Sequence, residues 1–130
     1  HNTPLAGKFS YEYDKKAYKA GDDVTVKVKG HGMQSVNAFN FVLPYRPQDM
    51  RFVKAEAVAA KDMRNMTYDR HHSDGSQVLY PTFANVGNQA TLNGDETLCE
   101  LHFKAVRSFT VKQQAPKGMA VDKNLIELDF

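Results

Sequence analysis

Between Ser35 and Val53 the chain alternates apolar and polar positions. Phe39, Phe41 and Leu43 point one way, while Ala38, Asn40 and Val42 point the other. A period of two over this length predicts a strand with one face in a core. Tyr45 to Met50 then reads as a corner, because Pro47 fixes its own φ and pushes Arg46 away from the helical region. Met50, Phe52 and Val53 open the next extended segment. Upstream, Val24, Val26 and Val28 interleave with Thr25, Lys27 and Lys29, the pattern of a half-buried strand. Gly30-His31-Gly32 is predicted to break it. Downstream, Thr97–Val106 alternates throughout. Cys99, Leu101, Phe103 and Ala105 are assigned to the core, and Leu98, Glu100, His102 and Lys104 to solvent.

Shorter signals fill the intervals. Residues 1–8 read as a linker ahead of a single domain over 9–130, in which Phe9, Tyr11 and Tyr13 alternate as a first strand. Ala20-Gly21-Asp22-Asp23 and His71 to Ser76 are turns, with Gly and Asp supplying the permissive backbone. Lys54 to Arg64 fits two patterns. Ala55, Val58, Ala59 and Asp62 match helical spacing, whereas Val53, Ala55, Ala57 and Ala59 match a strand that frays into a loop, which is the reading adopted. Met66–Arg70 reads as a short strand. Gln77–Asn85 is a strand interrupted by Pro81, Val86–Asp95 a loop, and Phe109–Val111 and Leu125–Phe130 the last strands, with Pro116-Lys117-Gly118 between them. No long amphipathic helix is predicted, and turn signals recur every ~8–12 residues, which argues an all-β sandwich.

Composition narrows the function. At 130 residues the chain can bury its own core. Seventeen basic against 15 acidic residues, a net charge of +2 with no block of like charges, supplies no strong field toward nucleic acid or an anionic membrane. No apolar run approaches the ~18 residues of a membrane helix. No signal peptide is visible, and the abrupt start at His1 reads as a mature or excised piece of something longer. Cys99 is alone, so an internal disulfide and a cysteine-based zinc site are both excluded, and the redox compartment stays open.

Candidate chemistry is thin. His1, His31, His71, His72 and His102 with Met33, Met50, Met63 and Met66 suit copper by ligand type. Yet no metal-binding histidine spacing falls on one element, and core-filling methionines with surface histidines are the plainer account. Asp22, Asp23, Asp74 and Asp95 sit in turns where a calcium ion could bind, but turn chemistry explains each. No cofactor or metal is expected. There is no nucleophile elbow and no phosphate loop, and inward-facing Cys99 is a small buried hydrophobe. What remains is an outer sheet face. On the central strand it carries Asn40 and Val42. On Gln77–Asn85 it carries Val78, Tyr80, Thr82 and Ala84 or their alternates, depending on the phase at Pro81. Tyr68 and Tyr80, if exposed, would serve a sugar or a protein partner.

Three stretches in order resemble cohesin modules. Ala20-Gly21-Asp22-Asp23-Val24-Thr25-Val26 is similar to their opening Pro-Gly-Asp-x-Val-x-Val strand. Ala38 to Pro47, with Met50 and Phe52, is similar to their Phe-x-Phe-x-Leu-x-Tyr-Asp-Pro segment. Gly94 to Ala105 resembles their Gly-x-Gly-x-Leu-x-x-Leu-x-Phe-Lys-Ala strand, and Val121-Asp122-Lys123-Asn124 their last corner. The resemblance covers most of residues 18–130. It departs at Arg46, where cohesins carry Asp, and at Ala20, where they carry Pro.

The resemblance implies a jelly-roll β-sandwich of about nine strands with no catalytic centre. It implies a secreted, extracellular module that grips a dockerin through one sheet face, and at this divergent edge of the family an attachment to a multidomain glycoside hydrolase. The strands involved would be the central one, Met66–Arg70, Gln77–Asn85 and Phe109–Gln114. The partner-binding residues would be Asn40, Val42, Tyr80 and Thr82. The competing reading is a carbohydrate-binding module or structural spacer of such a hydrolase. The absence of Trp weighs against sugar stacking.

Overall fold

The alternating segments do pair into sheets. In a computed structural model that describes residues 8–87, 90–123 and 127–130, the chain forms twelve strand segments and no helix among the described residues. These are β1 (Lys8–Tyr13), β2 (Ala17–Tyr18), β3 (Asp23–Tyr45), β4 (Met50–Ala57), β5 (Arg64–Asn65), β6 (Tyr68–His71), β7 (Gln77–Tyr80), β8 (Thr82–Ala84), β9 (Leu92–Ala105), β10 (Phe109–Thr110), β11 (Lys117–Asp122) and β12 (Glu127–Asp129). Residues 1–7 of the expected linker, and Asn124 of the expected last corner, lie outside the described residues.

One strand belongs to both layers. The first half of β3 lies between β1 and β9, and β9 carries β4 on its far side. The second half lies between β11, which carries β12, and the β7–β8 pair, which carries β6 and β5. The two layers close over one core. Phe9 of β1 meets Phe41 at 5.2 Å between ring centroids, and Tyr45 meets Phe103 of β9 at 5.1 Å. The Tyr11 hydroxyl donates across the interior to the Val42 carbonyl at 2.9 Å. The result is a jelly-roll β-sandwich. Its segment count exceeds the expected nine largely because several segments are only two residues long and Pro81 divides β7 from β8.

The predicted break at Gly30-His31-Gly32 is instead a bend inside β3. Gly32 takes φ +60° and Ser35 φ +56°, and the register against β9 slips three times between Val28 and Val36. The bend is held from β9, because Asp95 Oδ1 accepts from Gly32 N at 2.7 Å and Asn93 Oδ1 from Ser35 N at 2.8 Å. Leu92–Asp95 is therefore strand, where the turn-prone residues Asn93, Gly94 and Asp95 had suggested loop.

Two more departures have one cause. Leu98, assigned to solvent by strict alternation, is fully buried in the core. Val28 pairs with Cys99 but Lys29 with Thr97, so Leu98 is the extra residue of a β-bulge, and two successive side chains turn inward. On β4, Phe52 pairs with Phe103 and Lys54 with His102, which makes Val53 the bulged residue. Val53 is 52% exposed, and Phe52, Ala55, Ala57 and Ala59 pack on the core. Lys54–Arg64 otherwise follows the strand-then-loop expectation.

Candidate partner-binding face

The outer surface of the second layer is built row by row from cross-strand pairs. Directly paired residues of antiparallel strands share a face. One row is Val121–Ala38–Ala84–Arg64, the next Met119–Asn40–Thr82, and Lys117–Val42 begins a third. Tyr80 pairs with Tyr68 on β6.

Pro81 does not disturb this arrangement. Asn40 pairs with Thr82 and Leu43 with Leu79, so three steps on one strand match three on the other and the phase carries straight through. Pro81 lies buried opposite Phe41, and its carbonyl still accepts from Phe41 N at 2.8 Å. Only the N–H that proline lacks is missing from the ladder. Tyr80 and Thr82 therefore share the outer face with Asn40 and Val42, and the alternate phase is excluded.

The four predicted residues are brought together. Asn40 Nδ2 donates to Thr82 Oγ1 at 2.9 Å, and that hydroxyl donates to the Tyr80 carbonyl at 3.0 Å. Tyr80 stacks on Tyr68 with centroids 4.7 Å apart and planes 17° from parallel. Tyr68 is 46% exposed and Met119 37%. The centre of the face is thus aliphatic and amide, with charge at its rim: Lys117, Arg64 and Arg70, and on β12 Glu127 opposite Val121 and Asp129 opposite Met119.

The sequence reading missed β11. The resemblance implies Phe109–Gln114 beside the central strand. Phe109 and Thr110 instead pair with β2 in a separate two-stranded sheet, where Phe109 stacks on Tyr18. Lys117–Asp122 takes the expected place. Its signal was present but weak. Lys117, Met119 and Val121 alternate with Gly118, Ala120 and Asp122, and small inward residues do not read as a core face. Gly118 is required there, because at φ +141° a Cβ would run into the Asn40 carbonyl.

Candidate chemistry elsewhere is committed to structure. A groove of about 710 Å³ at one end of the sandwich is lined by Tyr13, Tyr45, Met50 and Phe109. Among its charged groups Arg107 and Asp49 bind each other at 2.8 Å, and Asp49 also lies 4.0 Å from Arg46. Burial pushes the Cys99 thiol up to about 12, so it stays protonated near neutral pH and is no nucleophile. Each of the candidate aspartates has a partner, local for Asp22 and Asp74 and from another part of the chain for Asp23 and Asp95. Asp22 accepts from Lys19 N, Asp23 from Lys104, Asp74 from Ser76 and Asp95 from Gly32. Met33, Met50 and Met63 are core residues as expected, whereas Met66 is 42% exposed and fills no core gap.

The sequence matches no family model and no curated protein. Solved structures do match. A cohesin module from a family 33 glycoside hydrolase of Clostridium perfringens superposes with a TM-score of 0.71 at 9% identity, over 97% of this chain and 90% of that one. The fold is that of a cohesin module. A type II cohesin domain from the cellulosome of Acetivibrio cellulolyticus gives 0.68 at 12% identity, over 95% and 88% of the two chains. A type I cohesin–dockerin complex from Clostridium thermocellum gives 0.66 at 10% identity, over 94% and 92%. This cohesin-like chain thus keeps the architecture at identities where sequence similarity is lost.

Proposed function

We propose that the chain is a non-catalytic recognition module whose outer face on β11, β3, β8, β7 and β6 binds a dockerin-type protein partner. The observation that carries this reading is the uncharged centre of that face, where Asn40 and Thr82 bond each other between Met119, Val42 and Tyr80. A patch of this composition loses little on desolvation and buries Met and Tyr, two residue types favoured in interface cores. The cohesin fold, and a structural neighbour solved as a cohesin–dockerin complex, support a dockerin as the occupant. The neighbour from a glycoside hydrolase supports a secreted, carbohydrate-active parent. The carbohydrate-binding alternative is disfavoured because Tyr68 and Tyr80 spend one ring face each on the other, and sugar stacking needs an open platform.

Calorimetric titration with a panel of type I and type II dockerins tests the proposal. At least one should bind, and Asn40→Arg or Met119→Asp should abolish that binding with the circular dichroism spectrum intact. Binding by none, or binding that both variants leave unchanged, contradicts it.

A further inference from the structure

The other layer's outer face holds a cluster that partner binding does not use. Glu56 on β4 with Glu100 and His102 on β9 each bring one ligand atom to within 4.8 Å of the others. His102 Nε2 lies 3.6 Å from Glu56 Oε1 and 3.7 Å from Glu100 Oε1. Donors held ~2.0–2.1 Å from a tetrahedral zinc ion stand roughly 3.3–3.4 Å apart. The imidazole thus stands within a few tenths of an ångström of that corner spacing from each carboxylate, and all three donors lie within 4.8 Å of one another.

The imidazole itself supplies the second observation. Nε2 is shielded from solvent and makes no hydrogen bond among the described residues, with the side chain 25% exposed and both carboxylates at ion-pair distance. Its other nitrogen, Nδ1, faces Thr25 Oγ1 at 3.4 Å, the kind of outer contact that orients a ligating histidine. Glu56 and Glu100 are also direct cross-strand partners, and like charges opposite one another weaken a sheet unless a cation lies between them. Lys54 approaches Glu56 through the other oxygen, Oε2, at 3.5 Å. Lys27 faces Glu100 from β3, and Lys104 is engaged by Asp23. These cations balance part of the charge, yet none of them gives Nε2 a partner.

We infer that Glu56, Glu100 and His102 form a binding site for a divalent transition-metal ion of the zinc type, which ties edge strand β4 to β9. One imidazole and two carboxylates make three ligands with a fourth position open to water, a set that suits zinc. Calcium needs six to eight oxygens and magnesium a near-ideal octahedron, and this cluster offers neither. The inference is independent of the partner-binding face.

The test uses the untagged domain, stripped with chelator and titrated with zinc chloride by calorimetry, with melting followed by circular dichroism. One equivalent should bind and raise the melting temperature. His102→Gln and Glu100→Gln should each weaken binding by at least about tenfold and remove the thermal shift, whereas His72→Gln and His31→Gln should change neither. Cobalt(II) should give the visible absorption of a tetrahedral ion in the parent and lose it in His102→Gln. Absent zinc binding, undiminished binding by a folded His102→Gln variant, or an equal thermal shift from calcium would overturn the assignment.

Discussion

The two outer faces of the sandwich are written by one strand and treat charge in opposite ways. Along its first half, β3 turns Thr25, Lys27 and Lys29 outward, and they meet Glu100 and His102 on β9 and Glu12 on β1. This surface is a ladder of ions, with Lys29–Glu12 at 2.8 Å, Lys104–Asp23 at 2.6 Å and Lys54–Glu56 at 3.5 Å. Past the bend the same strand turns out Ala38, Asn40 and Val42, flanked by Met119, Val121, Thr82 and Tyr80. The core side scarcely changes, from valines to phenylalanines. A sheet surface that no protein partner strips of water can carry charge in pairs, each contributing little to stability. One that must be stripped of water by a partner keeps charge at its rim. The difference teaches that function here is read from the residues that do not face the core.

The comparison can be broken first from the inside. Phe41 is fully buried against Phe9, Tyr11, Phe39 and Phe130, so Phe41→Ala should cost about 3–5 kcal/mol and lower the melting temperature whatever face is probed. An unshifted thermal transition would contradict the assigned phase of β3. Next in size, Gly118→Ala meets both a positive φ and the Asn40 carbonyl, and should cost about 1–3 kcal/mol while displacing β11 from the uncharged face alone. Urea melts should show the loss, with amide exchange rising first along Lys117–Asp122.

A smaller effect comes from the tyrosine that bridges the layers. Burial, aided by the charge of Tyr13, raises the Tyr11 phenol above its ordinary 10.0, and burial with the Asp69 carboxylate raises Tyr45. Above pH 10 the unfolded chain sheds those protons while the folded one keeps them. This stability is therefore complete below the ordinary value and lost as pH climbs toward the folded one. Tyr11→Phe removes one hydrogen bond, about 1 kcal/mol, and should flatten the alkaline limb. Stability curves at about pH 8 and about pH 10.5 measure both. Smallest of all, Met119→Ser and Lys27→Gln should each move stability by less than about 0.5 kcal/mol. Only Met119→Ser should weaken dockerin binding, and an equal effect of the two would erase the distinction between the faces.

Much of this was legible from period-two patterning. Where a strand buries one face, alternation sets its phase, and so β1, β3 and most of β9 follow the sequence closely. Leu98 and Val53 escaped because a bulge inserts one residue, and nothing local marks it until the partner strand's register is known. Strand β11 escaped because Gly118 and Ala120 face inward where large apolar residues would have signalled a core. Asn40 and Val42 could be named because their strand is unambiguous, whereas Met119 needed the pairing of β11. The Glu56–Glu100–His102 cluster was invisible for the same reason, since its members come from different strands and from a strand interval that alone matches no ligand spacing.

The most direct test is hydrogen exchange mapped by mass spectrometry, with the domain free and then saturated by the tightest-binding dockerin of the panel. Added protection should fall on Lys117–Asp122, on residues 38–43 and on the 64–84 segment, with Glu96–Lys104 and Met50–Ala57 unchanged. Protection concentrated instead on the charged β9–β4 surface would contradict the account.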